Sequence, residues 1–331
     1  MLGTMQNTPV EDSTGRQFTY LRLSITDACN FRCVYCLPDG SHSCSSAALS
    51  SGETEHLVTA LTELGIQKIR LTGGEPTLRH DLIDLATRIR KVSGVEKLGI
   101  TTNGYRLREL ARPLRDAGIE GLNVSVDTLS QKRFFVLTGH DLLNQVLEGI
   151  ETAQSLRFPS IKINTVLMKN YNISELDAFF SLAKSTGFCV RFIELMRTQS
   201  NKEFFDQQYI SSELVTRKLE EEGWKRGSYH YAGGPAHEYT HPIHPGTIGI
   251  ITPYSKDFCL SCNRLRVTSR GELRLCLFGN RNYPLRQLLK TPDQKPELQA
   301  FIIRLLKHKP ASHLLSEGSY GNTTNLAAFG G

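Results

Sequence analysis

Three cysteines lie within eight residues in the segment CNFRCVYC, at Cys29, Cys33 and Cys36. Their C-x3-C-x2-C spacing provides three thiolates, whereas a closed tetrahedral metal site requires four ligands. Three thiolates on a short loop can bind three irons of a [4Fe-4S] cube and leave the fourth iron open to a ligand from outside the protein. The spacing therefore predicts an open iron-sulfur site, and a zinc site completed by Cys44 or His42 is the alternative.

A second group of three cysteines lies far along the chain, at Cys259, Cys262 and Cys276. The C-x2-C-x13-C spacing again lacks an obvious fourth ligand, and zinc ribbons usually contain two C-x2-C pairs. Between these cysteines, Arg264 and Arg266 would share one face of an extended segment, where guanidinium groups can bind phosphates beside an open iron. We expect a second iron-sulfur site with an anionic ligand, and zinc is again the alternative.

The elements that must position these residues are short β-like segments separated by segments of helix length. The strands are predicted at residues 20–26, 67–72, 97–102, 121–127, 161–167 and 189–195. Helical patterns, such as 53–64 and 142–156, lie between them. This succession of β-α units predicts an α/β fold with parallel strands, either rolled toward a barrel or laid open as a doubly wound sheet.

The pattern changes after about residue 200, where glycine, proline and histidine interrupt it. This predicts a hairpin-rich region followed by a helical stretch at 284–315. We therefore divide the chain into a flexible N-terminal segment (1–15), a partial barrel (16–200) and a C-terminal region (201–331). The histidines of the hairpin-rich region are irregularly spaced and are predicted to be solvated surface residues: His230, His237, His241 and His244.

Each predicted strand alternates between apolar and polar side chains, so it has an apolar face and a polar or cationic face. In a β/α barrel the apolar faces would pack against the helices, and the cations would line the lumen: Arg22, Lys68, Arg70, Lys162 and Arg191. Burial of so many like charges without anions is prohibitive. We expect a wide, wet lumen for a polyanion such as a nucleoside triphosphate. An open sheet with one solvated basic face is the alternative.

Composition limits the class of protein further. The chain has 331 residues with 39% hydrophobic content, which is enough to bury a large core. Its net charge is +6. The polar N-terminus and the lack of any run of about 18 apolar residues predict neither a signal peptide nor a membrane span. Eight cysteines in such a chain indicate metal ligands rather than disulfides, and therefore a reducing, cytoplasmic location. Cys44 and Cys189 belong to neither triad and are predicted to have no functional role.

The segment CNFRCVYC resembles the signature of the radical S-adenosylmethionine (SAM) enzymes. So does the segment Thr72-Gly73-Gly74-Glu75-Pro76, which ends the second predicted strand. The resemblance implies that the open iron binds the amino and carboxylate groups of SAM, that the GGEP segment meets the methionine amino group, and that reductive cleavage releases a 5′-deoxyadenosyl radical.

Nearly the whole chain from Arg16 resembles the GTP 3′,8-cyclase family of molybdenum cofactor biosynthesis. The matching segments include NVSVDTLS, VRFIELM, GGPAHEY and CLSCNRLRVTSRGELRLCL. The resemblance implies an incomplete (β/α)6 TIM-like barrel, closed on its open side by the C-terminal hairpin and helical region. It also implies that the radical abstracts the ribose 3′ hydrogen of GTP and that the carbon radical attacks C8 of guanine. The product would be (8S)-3′,8-cyclo-7,8-dihydroguanosine 5′-triphosphate.

The resemblance assigns roles to individual residues. The two triads would bind two [4Fe-4S] clusters, the second of which takes the guanine. SAM contacts are expected at Tyr35, Gly74, Ser125 and Met196. GTP contacts are expected at Arg22, Lys68, Arg70, Thr101, Lys162, Arg191, Arg264, Leu265 and Arg266. A catalytic role is expected for the terminal pair Gly330 and Gly331.

The expected partners are GTP, SAM, a low-potential electron donor, a downstream cyclic pyranopterin synthase and a second copy of the chain in a homodimer. Two other classes of protein remain as alternatives. A peptide-modifying radical SAM enzyme with an auxiliary cluster would share CNFRCVYC but would not need the arginines and the luminal cations. A zinc-stapled nucleic-acid-binding protein would instead cluster its basic residues with exposed aromatics on an outer surface, so neither nucleic acid nor a membrane is an expected partner.

Overall fold

Twelve strands form one sheet in the computed structural model, which describes residues 9–37, 48–227, 234–324, 326 and 327. The strands are β1 (Tyr20–Ser24), β2 (Lys68–Thr72), β3 (Lys97–Thr102), β4 (Gly121–Ser125), β5 (Ser160–Leu167), β6 (Cys189–Glu194), β7 (Lys225–Arg226), β8 (His237–Thr240), β9 (Thr247–Ile251), β10 (Arg264–Val267), β11 (Glu272–Arg274) and β12 (Tyr283–Pro284). All six strands predicted from the alternation of side chains are present, with bounds that differ by at most two residues.

Helices connect the strands in the order that the sequence predicts. They are α1 (Ser51–Glu63), α2 (Leu82–Lys91), α3 (Leu107–Asp116), α4 (Gln131–Thr138), α5 (Leu143–Ser155), α6 (Leu176–Ser185), α7 (Lys202–Gln208), α8 (Glu213–Glu221) and α9 (Lys295–Leu306). Among the described residues, no helix is both long and apolar enough to cross a membrane.

The strands are ordered β12-β11-β10-β1-β2-β3-β4-β5-β6-β9-β8-β7. The eight central strands, from β10 to β9, are parallel, and antiparallel strands extend both ends. In the described part of the chain the outermost strands β12 and β7 do not pair, so the sheet is not closed. This confirms the predicted α/β class and incomplete barrel. The C-terminal region adds β9 to one edge of the six-stranded unit and β10 to the other.

The two faces of the sheet differ as the alternation predicts. The apolar side chains of the central strands, such as Leu21, Leu23 and Ile69, are almost fully buried in one hydrophobic core with the helices. On the opposite face, the register aligns Arg22 with Arg70 of β2 and with Arg266 of β10. Cationic side chains therefore occupy the same level on three neighbouring strands.

Helix α1 also connects the barrel to the C-terminal region. It begins at a capping box, in which the Glu53 backbone N–H donates to Ser50 Oγ (3.1 Å) and the Ser50 N–H donates to the Glu53 carboxylate (2.9 Å). The same carboxylate accepts hydrogen bonds from Arg286 Nε (3.0 Å) and Lys290 Nζ (2.7 Å). One nearly buried acid therefore holds both the start of a barrel helix and the segment before α9.

The C-terminal region differs from the prediction in detail. Strands β8 and β9 form the expected hairpin, but helices α7 and α8 were not predicted. The predicted helical stretch 284–315 contains α9 and short 3-10 turns, because Pro292 and Pro310 interrupt it. In the predicted N-terminal segment 1–15, the described residues make contacts, since the Val10 N–H donates to the Leu64 carbonyl (3.0 Å). The division at residue 200 stays a prediction.

Candidate active site

One cavity of about 800 Å³ on the inner face of the sheet brings together almost every residue that the sequence singled out. This volume lies in the range of small-molecule sites. The predicted residues that line it are Arg22, Cys29, Cys33, Tyr35, Cys36, Lys68, Arg70, Gly74, Thr101, Ser125, Lys162, Arg191, Met196, Cys259, Cys262, Arg264, Arg266 and Cys276.

Three predicted site residues are not among these. Leu265 points to the opposite face of β10 and is fully buried in the hydrophobic core, so its side chain does not line the cavity. The two-residue period of the strand turns the Leu265 side chain away from the arginines on either side of it, so a contact with GTP through the backbone stays a prediction. Gly330 and Gly331 lie outside the described residues, but Leu326 and Ala327 line the cavity.

The two cysteine triads lie at opposite ends of the cavity. The first follows the carboxyl end of β1, whereas Cys259 and Cys262 precede the amino end of β10. Since β1 and β10 are parallel and in register, these loops are separated by the length of the strands, roughly 15 Å. Cys276 follows β11, which is antiparallel to β10 and so returns to the same end as Cys262. The arginines lie between the two ends.

The first triad is a set of buried thiols on a fixed loop. The backbone N–H groups of Arg32 and Val34 donate to carbonyls at the end of α4 (3.0 and 3.1 Å). Burial raises the pKa of the Cys29 thiol to about 11 and that of Cys36 to about 12, and it raises the pKa of Cys33 well above its ordinary value. A bound metal would stabilise the thiolate forms of these cysteines, and three soft sulfur donors suit an iron-sulfur cluster.

The second triad lies in a more positive environment. Although burial raises the pKa of Cys262, the nearby Lys309 and Arg264 lower it to about 6. The Lys309 ammonium group is buried and donates to the Leu275 carbonyl next to Cys276. Cations that favour the thiolate forms of these cysteines would also favour an anionic ligand on a metal that the thiolates hold.

Each triad provides three soft sulfur donors, which suit a cluster with one open iron. Within the described ranges, no three His, Cys, Asp or Glu side chains converge as a single metal ion requires. A cube gives each thiolate a different iron, so its sulfur ligands stand farther apart than those of one ion. Beyond the effect of burial, Cys36 and Cys29 still raise the pKa of Cys33, so these thiols are near one another. The donor sets fit clusters better than the alternative zinc sites.

The Gly-Gly-Glu-Pro segment packs directly against the first cysteine loop. The Gly74 N–H donates to the Thr26 carbonyl (3.0 Å), and the Glu75 N–H donates to the Ala28 carbonyl (2.7 Å). A Cβ atom at Gly74 would lie 2.1 Å from the Ala28 carbonyl oxygen. The Glu75 carboxylate is buried and accepts hydrogen bonds from Thr77 and Thr102. The segment therefore holds the cysteine loop in place.

A buried aspartate fixes the predicted SAM-contacting tyrosine. The Tyr35 hydroxyl donates to Asp127 Oδ2 (2.7 Å), and the other carboxylate oxygen accepts from the Val166 backbone N–H (2.8 Å). Burial raises the pKa of Asp127 to about 6. The pair joins the cysteine loop to strands β4 and β5.

Tyr20 lies under three of the cations. Arg70 Nε donates to its hydroxyl (3.0 Å), and Lys68 Nζ lies 4.6 Å from the centre of its ring. Burial raises the pKa of Tyr20, but Arg70, Arg22 and Lys68 together lower it to about 7. One phenol thus partly compensates the positive charge of this wall.

Several buried polar atoms of the cavity have no hydrogen-bond partner among the described residues. Three of them belong to polar side chains on neighbouring strands, namely Thr101 Oγ1, Asn123 Oδ1 and Asn164 Oδ1. Buried polar groups are normally hydrogen-bonded, so these atoms indicate a polar ligand in the cavity.

Comparison with known proteins identifies the family. The Radical SAM superfamily matches residues 23–183, and Molybdenum Cofactor Synthesis C matches residues 188–315. A GTP 3′,8-cyclase from Tolumonas auensis is 46% identical over 97% of this chain and 96% of its own length. The GTP 3′,8-cyclase of Synechococcus elongatus is 44% identical over 97% and 98%. This chain belongs to the GTP 3′,8-cyclase family.

A solved structure supports the fold of this family member. SuiB from Streptococcus suis bound to S-adenosylmethionine superposes with a TM-score of 0.56 at 14% sequence identity. The match covers 91% of this chain and 65% of SuiB, so this chain spans slightly less than two thirds of that protein. The family membership confirms the predicted enzyme class, with SAM and iron-sulfur clusters as cofactors, and decides against both alternative classes.

Sequence reasoning missed three side chains of this site. Tyr20 shares the cation-bearing face of β1, and that alternation could have identified it. Glu238 lies on the cavity face of β8 in a segment predicted only as a hairpin. Lys309 follows α9 and reaches the second triad through a tertiary contact that no local pattern signals. Away from the cavity, His244 stacks on Trp224, and His241 contacts the same ring edge-on.

We predict that Gly74→Ala removes the first cluster and spares the second. The added Cβ would lie 2.1 Å from the Ala28 carbonyl oxygen, which is too close for two non-bonded atoms. The backbone at Ala28, next to Cys29, must therefore move. Iron per chain should fall from about eight toward about four, as expected for loss of one cube. The measurement is iron and sulfide content after anaerobic reconstitution. Gly52→Ala is the matched control, since a Cβ there meets nothing within 4 Å. Full iron content in Gly74→Ala would contradict the proposed packing role.

Proposed function

We propose that this chain converts GTP to (8S)-3′,8-cyclo-7,8-dihydroguanosine 5′-triphosphate, the first step of molybdenum cofactor biosynthesis, with SAM as the radical source. The observation that carries the proposal is the placement of two separate open triads at the two ends of one cavity, with a wall of cations between them. A metal-stapled binding module has no need for that arrangement, whereas a radical generated at one end and a triphosphate held along the wall require it.

The first end of the cavity binds SAM in this proposal. Cys29, Cys33 and Cys36 hold a [4Fe-4S] cluster, which supplies the electron for reductive cleavage of SAM. Tyr35 and Ser125 contact SAM from the loop and from β4, and Gly74 offers backbone polar groups where the lack of a side chain allows close approach. Met196 contributes apolar surface beside Leu277 and Phe278.

The second end and the walls bind GTP. Cys259, Cys262 and Cys276 hold the second [4Fe-4S] cluster, whose open iron takes the guanine. Charge-assisted hydrogen bonds from the cations hold the triphosphate; the residues are Arg22, Lys68, Arg70, Lys162, Arg191, Arg264 and Arg266. Thr101 Oγ1, which lacks a protein partner among the described residues, is available to a substrate hydroxyl or phosphate. Leu265 contributes through its backbone only.

The wider setting also belongs to this proposal. Two cube clusters require a low-potential electron donor, and the cyclic triphosphate requires a downstream cyclic pyranopterin synthase. The seven described cysteines are free thiols, which supports a reducing, cytoplasmic location. A homodimer is proposed from the family resemblance alone.

We predict that the two triads can be separated by mutation. Replacement of Cys29, Cys33 and Cys36 by alanine should abolish SAM cleavage, because no open iron remains to bind SAM. Replacement of Cys259, Cys262 and Cys276 should retain the first cluster and SAM binding but abolish formation of the cyclic product. Each triple variant should keep about four irons, measured together with 5′-deoxyadenosine and product by chromatography.

Cys189→Ala is the control for the triads, since this buried cysteine belongs to neither. It should keep the iron content of the unmodified enzyme. Stoichiometric zinc in the purified protein, or product from the second triple variant, would overturn the assignment.

We predict that Arg264→Ala and Arg266→Ala each weaken GTP binding by roughly ten- to a hundredfold. Each change removes charge-assisted hydrogen bonds worth about 1.5 to 3 kcal/mol. Equilibrium binding of GTP to the anaerobic enzyme tests this, and SAM affinity should stay unchanged. Arg270→Ala is the matched control, because Arg270 is exposed and pairs with Asp27 outside the cavity (3.5 Å). Unaltered GTP affinity in the double variant would remove both residues from the site.

Deletion tests the proposed role of the pair Gly330 and Gly331. The chain just before them reaches the first triad, since the backbone N–H groups of Leu326 and Ala327 approach the Cys36 thiol. We expect deletion of both glycines to leave iron content and the thermal midpoint nearly unchanged but to remove most cyclic product in a single turnover. Replacement of the pair by two alanines separates the need for backbone length from the need for absent side chains. Product yield equal to the full chain would assign the pair no role.

A further inference from the structure

Glu238 introduces a negative charge into the cation-lined cavity. It lies on β8, and its Oε1 atom accepts hydrogen bonds from Arg191 Nη2 (2.7 Å) and Lys162 Nζ (3.3 Å). The Arg191 side chain is 8% exposed and the Glu238 side chain 39% exposed. A mostly buried guanidinium is therefore paired with a carboxylate that still contacts open space in the cavity.

The other acids that line the cavity are engaged elsewhere. Asp127 is bound by Tyr35 and a backbone N–H, and Glu194 accepts from the backbone and side chain of Ser212 (2.8 and 2.9 Å). Glu120 faces Arg90, outside the cavity. Among the described residues, Glu238 is thus the cavity carboxylate that pairs with the cations of the wall.

Arg191 and Lys162 belong to the same positive field as the cations on the other side of the cavity. Burial, and then the proximity of Arg70, Lys162 and Arg191, lower the pKa of Lys68 to about 8. A polyphosphate that binds Lys68 therefore also feels Arg191 and Lys162. Phosphate oxygens and the Glu238 carboxylate seek the same donors, and two anions held there together would repel each other.

We propose that Glu238 is an internal counter-ion. Its carboxylate binds Arg191 and Lys162 while the cavity is empty, and the phosphate chain of the substrate displaces this carboxylate. The inference rests on the proposed function, which places these two cations at the triphosphate. Rotation of the half-exposed glutamate side chain is sufficient for the exchange, with no change in the hairpin. Glu238 thus weakens binding of the triphosphate substrate and product, and it also prevents burial of two uncompensated cations in the empty enzyme.

The proposal makes two readouts of Glu238→Gln move in opposite directions. Without ligand, the thermal midpoint should fall, because Arg191 loses its charged partner. The affinity for inorganic tripolyphosphate and for GTP should instead rise, by about two- to fivefold for a partly exposed ion pair. A residue with a merely structural role would lower both stability and affinity.

The experiment uses the cluster-loaded enzyme under anaerobic conditions, with calorimetric titration of tripolyphosphate and GTP into three single variants. Glu213→Gln makes the same change in net charge on the exposed surface of α8 and should leave both affinities unchanged. Arg191→Ala should weaken both.

The outcomes test the triphosphate site and the counter-ion role of Glu238 separately. If Arg191→Ala leaves both affinities unchanged, the placement of the triphosphate and the inference about Glu238 are both overturned. If Arg191→Ala weakens binding but Glu238→Gln leaves it unchanged or weakens it, only the counter-ion role fails. If Glu238→Gln and Glu213→Gln raise the two affinities equally, the effect comes from net charge, and this outcome would also overturn the proposal.

Discussion

Three arginines occupy the same level of neighbouring parallel strands, because the register aligns Arg22 with Arg70 on one side and with Arg266 on the other. A closed barrel fills its interior with apolar side chains, and it could not bury this charge. The observed sheet remains open and encloses a cavity of about 800 Å³ instead. The open sheet and the cationic wall of the cavity are both consistent with this row of like charges.

The same register explains why the C-terminal region is part of the catalytic unit. Strand β10 pairs with β1, so the loop with Cys259 and Cys262 reaches the end of the cavity opposite to the first triad. Strand β9 pairs with β6, and β8 then brings Glu238 next to Arg191. The two family segments therefore share one sheet, and each supplies one of the two cysteine triads.

The strands, the cysteine triads and the cationic face could be predicted because they depend on local spacing and alternation. Three other side chains of the site were missed, for different reasons. Tyr20 lies on the cation-bearing face of β1 and could have been identified from the alternation, but its aromatic ring does not signal that its hydroxyl group meets Arg70. Glu238 and Lys309 reach the cavity from segments far along the chain, and only the pairing of β8 and the turn after α9 bring them there. The motif that includes Leu265 does not distinguish side chains on opposite faces of a strand, and the structure places this side chain in the hydrophobic core.

The protein's own side chains compensate the positive charge of the cavity wall only in part. Arg70 binds a phenol and the Ile100 carbonyl (2.9 Å), and Arg191 binds a carboxylate that is 39% exposed. In the part of the chain that the structure describes, neither arginine has a fully buried acid as its partner. Uncompensated cations would destabilise the fold, whereas fully buried ion pairs would have to be broken before an anion could bind. Partial compensation lies between these limits. Under the proposed function, it would allow the same wall to fold without substrate, to bind the triphosphate and to release a product that carries the same phosphates.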